Sequence, residues 1–327
     1  MRAMRVHELS ENVDVLRMDE VKLPAPGPGE VRLRLKACSV NFPDILMVQG
    51  KYQFKPDLPF SPGMEGAGIV AEVGYGVTRL KAGDRVVAGL RVGGFAEEVN
   101  VPELACRPIP GSMDFAAAAA YPAAYLTAYV ALVCRGHLQK GETLLVHGGS
   151  SGIGTTAIQL ASSFGAYVIV TAGSAEKCEA CLKLGADRAI NYRSEDFVGE
   201  VKEATSGKGA DVILDMVGGD YVARNYQAAA VEGRIVQIGV QAGAVASTDF
   251  SRLMIKRLTH TGSTLRPRTV DFKGAIAAAL EAKVWPLMAT RAVAPVMDMI
   301  FPLKEAWRAH ERMEEGAHIG KIVLDVS

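Results

Sequence analysis

The chain has 327 residues, 49% of them hydrophobic and 22% charged, which suits about two folded domains at roughly 150 residues each and speaks against disorder. Its 36 Lys and Arg offset 36 Asp and Glu, so no nucleic-acid partner is expected, because phosphate recognition needs a basic surplus. The N-terminal stretch has no apolar run of the signal-peptide kind and carries acids that a transit peptide avoids, so a cytoplasmic protein is expected.

The first 110 residues read as strands and turns. EVRLRLKACSV alternates before it becomes apolar, and GIVAEVGYGV, GDRVVAGL and GGFAEEVNVP are short and bounded by glycine. An antiparallel, partly barrelled β unit is expected. From Phe115 to Cys134 the chain then runs 20 residues without a charge, the length of a membrane span. Nine of those residues are alanine, Pro122 interrupts the run, and Tyr121, Tyr125 and Tyr129 lie along it. Three phenols in mid-bilayer would need partners, so two buried helices meeting near Pro122 are expected, and no membrane partner.

After Lys140 strands and helices alternate. ETLLVHG is a buried strand, and the helix after it puts Ile153, Ala157, Leu160, Ala161 and Phe164 on one face. AYVIVTA, RAINY, ADVILDMVG and GRIVQIGV continue the strands, with helices at AEKCEACLKLG, around DFVGEVKEAT and around YVARNYQAAA. Such alternation makes a doubly wound parallel sheet with right-handed crossovers. A last strand over Thr259–Thr264 fits the edge of that sheet. The segment beyond it is too small to stand alone and is expected to complete the N-terminal domain. The expected division is therefore 1–124 with 265–327 as one domain and 125–264 as the other.

Cys38, Cys106, Cys134, Cys178 and Cys181 form neither an even disulfide framework nor a metal cluster, and unpaired thiols fit a reducing compartment. Cys178 and Cys181 have C-x-x-C spacing but sit in a helical pattern with no second pair. They read as two thiols on one helix.

The strongest local signal is Val146-His147-Gly148-Gly149-Ser150-Ser151-Gly152-Ile153-Gly154, which follows a strand and opens a helix, the setting a dinucleotide fingerprint requires. Gly149 and Gly152 are expected to allow a tight turn and close approach to a pyrophosphate, and Gly154 to let the helix pack on the strand. The helix N-terminus, with Ser151 and Ile153, offers N–H groups and partial positive charge to the phosphates. An enzyme that uses NAD normally ends the second strand in Asp or Glu, to hold the ribose 2′-hydroxyl. Here the strand ends Val170-Thr171-Ala172-Gly173-Ser174, and Glu176 is followed by Lys177. The missing acid and the nearby cation favour NADPH.

With these motifs the sequence resembles the zinc-independent quinone oxidoreductases of the medium-chain dehydrogenase/reductase superfamily. The matching strings are ACSVNFPDILMVQGKY (37–52), PFSPGMEGAGIVAEVG (59–74), LKAGDRVV (80–87), AAYLTAYVAL (123–132), VHGGSSGIG (146–154) and INYRSEDF (190–197), and the resemblance covers essentially the whole chain. It implies an α/β fold with a GroES-like, β-rich substrate domain and a Rossmann cofactor domain. Alcohol dehydrogenases of the superfamily hold catalytic zinc through a Cys and a His where this chain has Asn41 and Met64. Cys38 falls too early to substitute, and between Gly89 and Arg107 the only cysteine is Cys106. Zinc needs a tetrahedral set of N or S ligands, so no metal is expected.

The resemblance also implies site residues. Asn41 and Asp44 match an N-x-x-D pair near the nicotinamide end; read from the residues alone, they are equally a turn residue and a capping or salt-bridge group. Thr127 matches the Thr of a T-A-Y motif that meets the cofactor. Ser174, Lys177 and Tyr192 match positions that hold the adenosine 2′-phosphate, and Gly218 and Gly239 match positions lining the cofactor. Tyr52 sits where related enoyl-thioester reductases have a Tyr proposed to donate a proton. A phenol is protonated at neutral pH and can serve so, or it can simply shape the pocket. The expected function is an NADPH-dependent, metal-free reductase of quinones or α,β-unsaturated carbonyls (enones), small-molecule substrates. The alternatives are an enoyl-thioester (acryloyl-CoA-type) reductase and a nucleotide-binding structural or RNA-interacting protein with little turnover. An unpaired edge strand is a liability, and the resemblance implies that it is paired in a homodimer through the cofactor domain.

Overall fold

The computed structural model describes residues 1–12, 15–111 and 113–327, and these fall into two compact units. The first contains Met1–Ala123, Thr269–Ala275 and Met297–Ser327. It opens with a two-stranded antiparallel hairpin, β1 (Arg2–Val6) and β2 (Leu16–Glu20). Strand β3 (Glu30–Val40) follows and organises the unit, pairing antiparallel with β4 (Glu65–Val73) and β6 (Glu98–Pro102). Helix α1 (Phe42–Val48) leaves its end, while β5 (Arg85–Gly89) and β7 (Cys106–Pro108) extend the sheet beyond β4. Along β3, Val31, Leu33, Leu35 and Ala37 are buried in strict alternation with Arg32, Arg34 and Lys36, the period of two that a sheet with one buried face requires. Leu33 and Leu35 join Met47, Phe95 and Leu324 in the core, each such side chain contributing about 1.5–3 kcal/mol by leaving water.

The uncharged run resolves into α2 (Phe115–Ala119) and α3 (Pro122–Tyr129), separated just before Pro122 as expected, with α3 running on into a π-helical turn over Val130–Arg135. Ala118, Ala119 and Ala120 seat α2 against Ala37, Ala67, Val87 and Val323, where small side chains allow close approach. Asp114 caps it, accepting the Ala117 amide at 2.7 Å. Among the described residues, no helix is long and apolar enough to cross a membrane.

The second unit contains Ala124–Arg268 and Ile276–Val296. Its strands are β8 (Thr143–His147), β9 (Tyr167–Ala172), β10 (Arg188–Asn191), β11 (Ala210–Asp215), β12 (Ala229–Gln237) and β13 (Thr259–Gly262). They lie in the order β10-β9-β8-β11-β12-β13, every pair parallel. The order reverses between β8 and β11, which is the switch point where doubly wound sheets bind ligands. Ile169, Leu145, Ile213 and Ile235 form one row across four strands and anchor the core. Helices α4 (Gly152–Ser163), α5 (Ala175–Lys183), α6 (Phe197–Ala204) and α7 (Tyr221–Ala228) connect them, and α8 (Phe250–Ile255) leads into β13. Both thiols of the C-x-x-C pattern are buried on α5, and burial pushes Cys181 up to about 12.

Helix α4 departs from the expected single apolar face. Every residue from Gly154 to Ala161 is buried, Thr155, Thr156 and Gln159 included. The Thr155 and Thr156 hydroxyls donate to the Gly152 carbonyl at 3.2 and 2.9 Å, and Gln159 is matched from far along the chain, donating to the Ala294 carbonyl at 3.0 Å and accepting the Ala294 amide at 2.9 Å. Residues after α9 (Val270–Lys283), including α10 (Trp285–Ala289), thus belong with the parallel sheet. This corrects the expected division: Ile276–Val296 joins the second unit, and the first resumes only at Met297. There β14 (Met297–Pro302) pairs parallel with β15 (Lys321–Asp325) through α11 (Ala306–Glu314), and β15 returns antiparallel to β3.

Candidate cofactor site and active-site residues

In the second unit the candidate site is made of turns at the C-terminal ends of neighbouring strands. After the fully buried β8, Gly148 takes φ +70°, a left-handed conformation that glycine adopts at little cost. The tight turn therefore falls on Gly148 rather than on Gly149 or Gly152, where the sequence had placed it. Gly149 donates its amide to the Thr171 carbonyl at 2.9 Å, and a Cβ there would lie 2.7 Å from Val170. At Gly154 a Cβ would meet the Gly148 carbonyl oxygen at 2.2 Å, so only glycine lets α4 start this close to the turn. Ser151 is the N-cap and accepts the Gly154 amide at 2.9 Å. The Gly152 and Ile153 amides are left without an intrahelical acceptor, which is the arrangement that takes a phosphate.

At the end of β9, Ser174 caps α5 and accepts the Lys177 amide at 3.3 Å. Tyr192, past the end of β10, donates its amide to Ala172 at 3.1 Å, and its hydroxyl stands 2.8 Å from where a Cβ on Gly173 would be. Ser174, Lys177 and Tyr192 are thus brought to one corner, with no carboxylate at the end of β9. Gly218 follows β11 with φ +69°, and Gly239 follows β12 against the Met216 carbonyl, 3.0 Å from a would-be Cβ. Met216 links the turns, because its sulfur accepts the Ser151 hydroxyl at 3.6 Å. Thr127 is half-buried on α3 in the same unit.

Asn41, Asp44 and Tyr52 lie in the first unit. Asn41 is the N-cap of α1, and its backbone amide donates to Asp44 at 2.9 Å. The Gly63 amide reaches the other Asp44 oxygen at 3.0 Å. Full burial nevertheless pushes Asp44 up to about 7 against the pull of these two amides. The Asn41 carboxamide is held at both ends: its nitrogen donates to Glu65 at 2.9 Å, and its oxygen accepts from Lys321 at 2.6 Å. Lys321 also reaches Glu65 at 2.9 Å, Ser39 donates to the same carboxylate, and the Ala123 amide takes the second Glu65 oxygen at 2.6 Å.

Glu65, Lys321 and Ser39 were not singled out in the sequence. The signal for the pair was one charged residue opening an apolar stretch in each strand, Glu65 before GAGIVA and Lys321 before IVL. Tyr52 donates its amide to Leu46 at 3.1 Å, and its half-buried side chain packs against the core.

Residues 27–111 match the family model of the alcohol dehydrogenase GroES-like domain, and residues 152–281 that of zinc-binding dehydrogenase. The quinone oxidoreductase of Rattus norvegicus is 33% identical over 331 residues, spanning 99% of this chain and 97% of that protein. The synaptic vesicle membrane protein VAT-1 homolog of Homo sapiens is 34% identical over 333 residues, 94% of this chain and 83% of its own. Among solved structures, Escherichia coli quinone oxidoreductase complexed with NADPH superposes with a TM-score of 0.91 at 33% identity, covering 100% of both chains.

Proposed function

The chain belongs to the quinone oxidoreductase family of the medium-chain dehydrogenase/reductase superfamily, and from that premise we propose that it is an NADPH-dependent, metal-free reductase of quinones or α,β-unsaturated carbonyls. The observation that carries the reading is the corner where Ser174, Lys177 and Tyr192 meet beside the Gly148–Gly154 turn, with no carboxylate at the end of β9. NADPH supplies the hydride. The Gly152 and Ile153 amides at the start of α4 hold its pyrophosphate. Ser174, Lys177 and Tyr192 hold the 2′-phosphate, a dianion that an Asp at this place would repel.

Metal independence is supported by chemistry at the first unit's cluster. Asn41 and Met64 are poor zinc ligands, and the Glu65 carboxylate already has the Lys321 ammonium against it. The Tyr52 hydroxyl donates a proton to the acceptor after hydride arrives, or orients the carbonyl oxygen. In this reading Asn41 and Asp44 shape the nicotinamide end, and Thr127, Gly218 and Gly239 flank the cofactor. The protein acts as a homodimer joined along β13, whose outer edge is unpaired in one chain. Phe250, Met254 and Ile255 on the preceding helix are two-thirds exposed, and a twofold axis would cover them. Light scattering at micromolar protein that gives a mass near 34.7 kDa refutes the dimer.

The function itself is tested by NADPH oxidation across ortho- and para-quinones, enones and enoyl thioesters, with NADH in parallel. Saturable turnover with quinones or enones is expected. Turnover confined to enoyl thioesters moves the assignment to a thioester reductase, and turnover with none of them overturns it.

A further inference from the structure

Beneath the glycine turns of the second unit runs a buried chain of polar side chains that the reaction does not use. Asp215, at the end of β11, accepts the Val217 and Gly218 amides on one oxygen at 2.6 and 3.1 Å. Its other oxygen lies 2.9 Å from the Asn225 amide nitrogen on α7. The Asn225 oxygen is 2.7 Å from His147 Nε2, and His147 Nδ1 is 3.1 Å from the Thr171 hydroxyl. All four side chains are buried to within 1% of complete.

The chemistry of the partners fixes the direction of every bond. All three groups against Asp215 are donors, so Asn225 presents its NH2 there and turns its oxygen toward His147. An amide oxygen only accepts, so the imidazole carries its proton on Nε2, and the bare Nδ1 accepts from Thr171. Phe197 and Tyr221 stand edge-on to the imidazole, each with its centroid 4.8 Å away, and hold the ring. Burial pushes the His147 pKa down, so the single-proton tautomer persists.

Three of the four sit at the roots of different turns, and Asn225 on α7 joins two of them. His147 immediately precedes Gly148, and Thr171 accepts the Gly149 amide on its carbonyl and leads into Ser174. Asp215 grips the amide of Gly218 itself. We infer that Thr171, His147, Asn225 and Asp215 form a positioning relay that sets the pyrophosphate turn, the 2′-phosphate turn and the Gly218 turn in register, so that the three respond as one to NADPH. The inference rests on the proposed use of this face for that cofactor. Its physical basis is that a buried polar network is worth having only when complete, and a missing link leaves its neighbours unsatisfied along the whole chain.

The test is NADPH binding, followed by nicotinamide fluorescence, in Thr171→Val, Asn225→Leu and the double variant. Thr171→Val removes a hydroxyl at nearly constant shape, and Thr171→Ser puts it back. Each single loss is expected to weaken binding about tenfold, the scale of one buried hydrogen bond. The double variant should fall well short of the roughly hundredfold loss that independent sites would give, and Thr171→Ser should return to within about twofold of wild type. The 15N spectrum of His147 should show the proton on Nε2, a readout that needs no cofactor and stands even if Asn225→Leu does not fold.

Independent losses that multiply, single variants that bind as wild type does, or a proton on Nδ1 overturn the relay while leaving the cofactor assignment intact. A wild-type protein that binds no NADPH overturns both.

Discussion

The two units handle polar groups in opposite ways. In the first, Asn41, Glu65 and Lys321 satisfy one another through side chains, and the buried Asp44 beside them takes the Asn41 and Gly63 amides. In the second, the face proposed for the cofactor is built from backbone turns, with Gly148, Gly149 and Gly154 chosen for what a Cβ would strike, and side chains stand behind it. A side-chain cluster is sensitive to the loss of one charge, because its partner stays buried and unpaired. A backbone cradle is sensitive to the few side chains that meet a ligand group directly and to those, such as Thr171 and Asn225, that hold its turns from behind. Substitutions in the first unit should therefore move stability or chemistry, and those at the rim of the second should move affinity for one ligand.

The largest effect is expected from Tyr52→Phe, which keeps the ring and removes the hydroxyl. Turnover of enones should fall by roughly 10²–10⁴, the range for a positioned acid. Quinones should suffer less, since a reduced quinone oxyanion is stable enough for water to protonate. The enone-to-quinone ratio measures this, and a ratio equal to that of wild type assigns Tyr52 to the pocket wall.

Next in size is Lys321→Met, which strands Glu65 in the interior. Urea unfolding of the variant should show a loss of about 3–5 kcal/mol, the usual result of breaking a buried pair from one side. Pairing it with Glu65→Gln should recover part of that loss. A Lys321→Met protein as stable as wild type would mean that the cluster is wet and loosely held.

Acid stability probes the same unit through His310. It is fully buried on α11 with neither ring nitrogen hydrogen-bonded, and burial lowers it to about 3. The unfolded chain binds this proton from about pH 6.5 downward and the folded chain does not. Stability is therefore present above pH 6.5 and drains away as pH falls toward 3. Asp44 has the opposite sign: raised to about 7, its contribution is present at low pH and lost as pH climbs through 7. Comparing wild type with His310→Leu over one pH range cancels Asp44. Between pH 6.5 and 5 the wild type should lose about 2 kcal/mol relative to the variant, and parallel stability curves would remove His310 from the account.

The smallest effect is the sharpest test of the second unit. NADPH should bind at least about tenfold more tightly than NADH, a difference near 1.4 kcal/mol. Lys177→Ala should erase most of that preference while leaving NADH binding almost unchanged. Equal losses for both cofactors would show that Lys177 works through packing on α5.

What the residues determined unaided was local. The glycine turn after β8, the strand–helix alternation and the break before Pro122 are all carried by spacing and composition within short windows, because helix and strand periods and turn conformations are properties of neighbouring residues. Even there, which glycine bears the left-handed turn was settled only by the path of the backbone into α4. Tertiary structure alone decided the rest. Gln159 of α4 is buried with its carboxamide matched because Ala294 meets it across 135 positions, a contact that goes with the placing of Ile276–Val296 in the second unit. Glu65 finds Lys321 across 256 positions, and His147 finds Asn225 across 78. No period or motif encodes such pairs. A buried charge or imidazole must be matched by whatever the fold brings beside it, and what arrives is decided by strand order and packing rather than by distance along the chain.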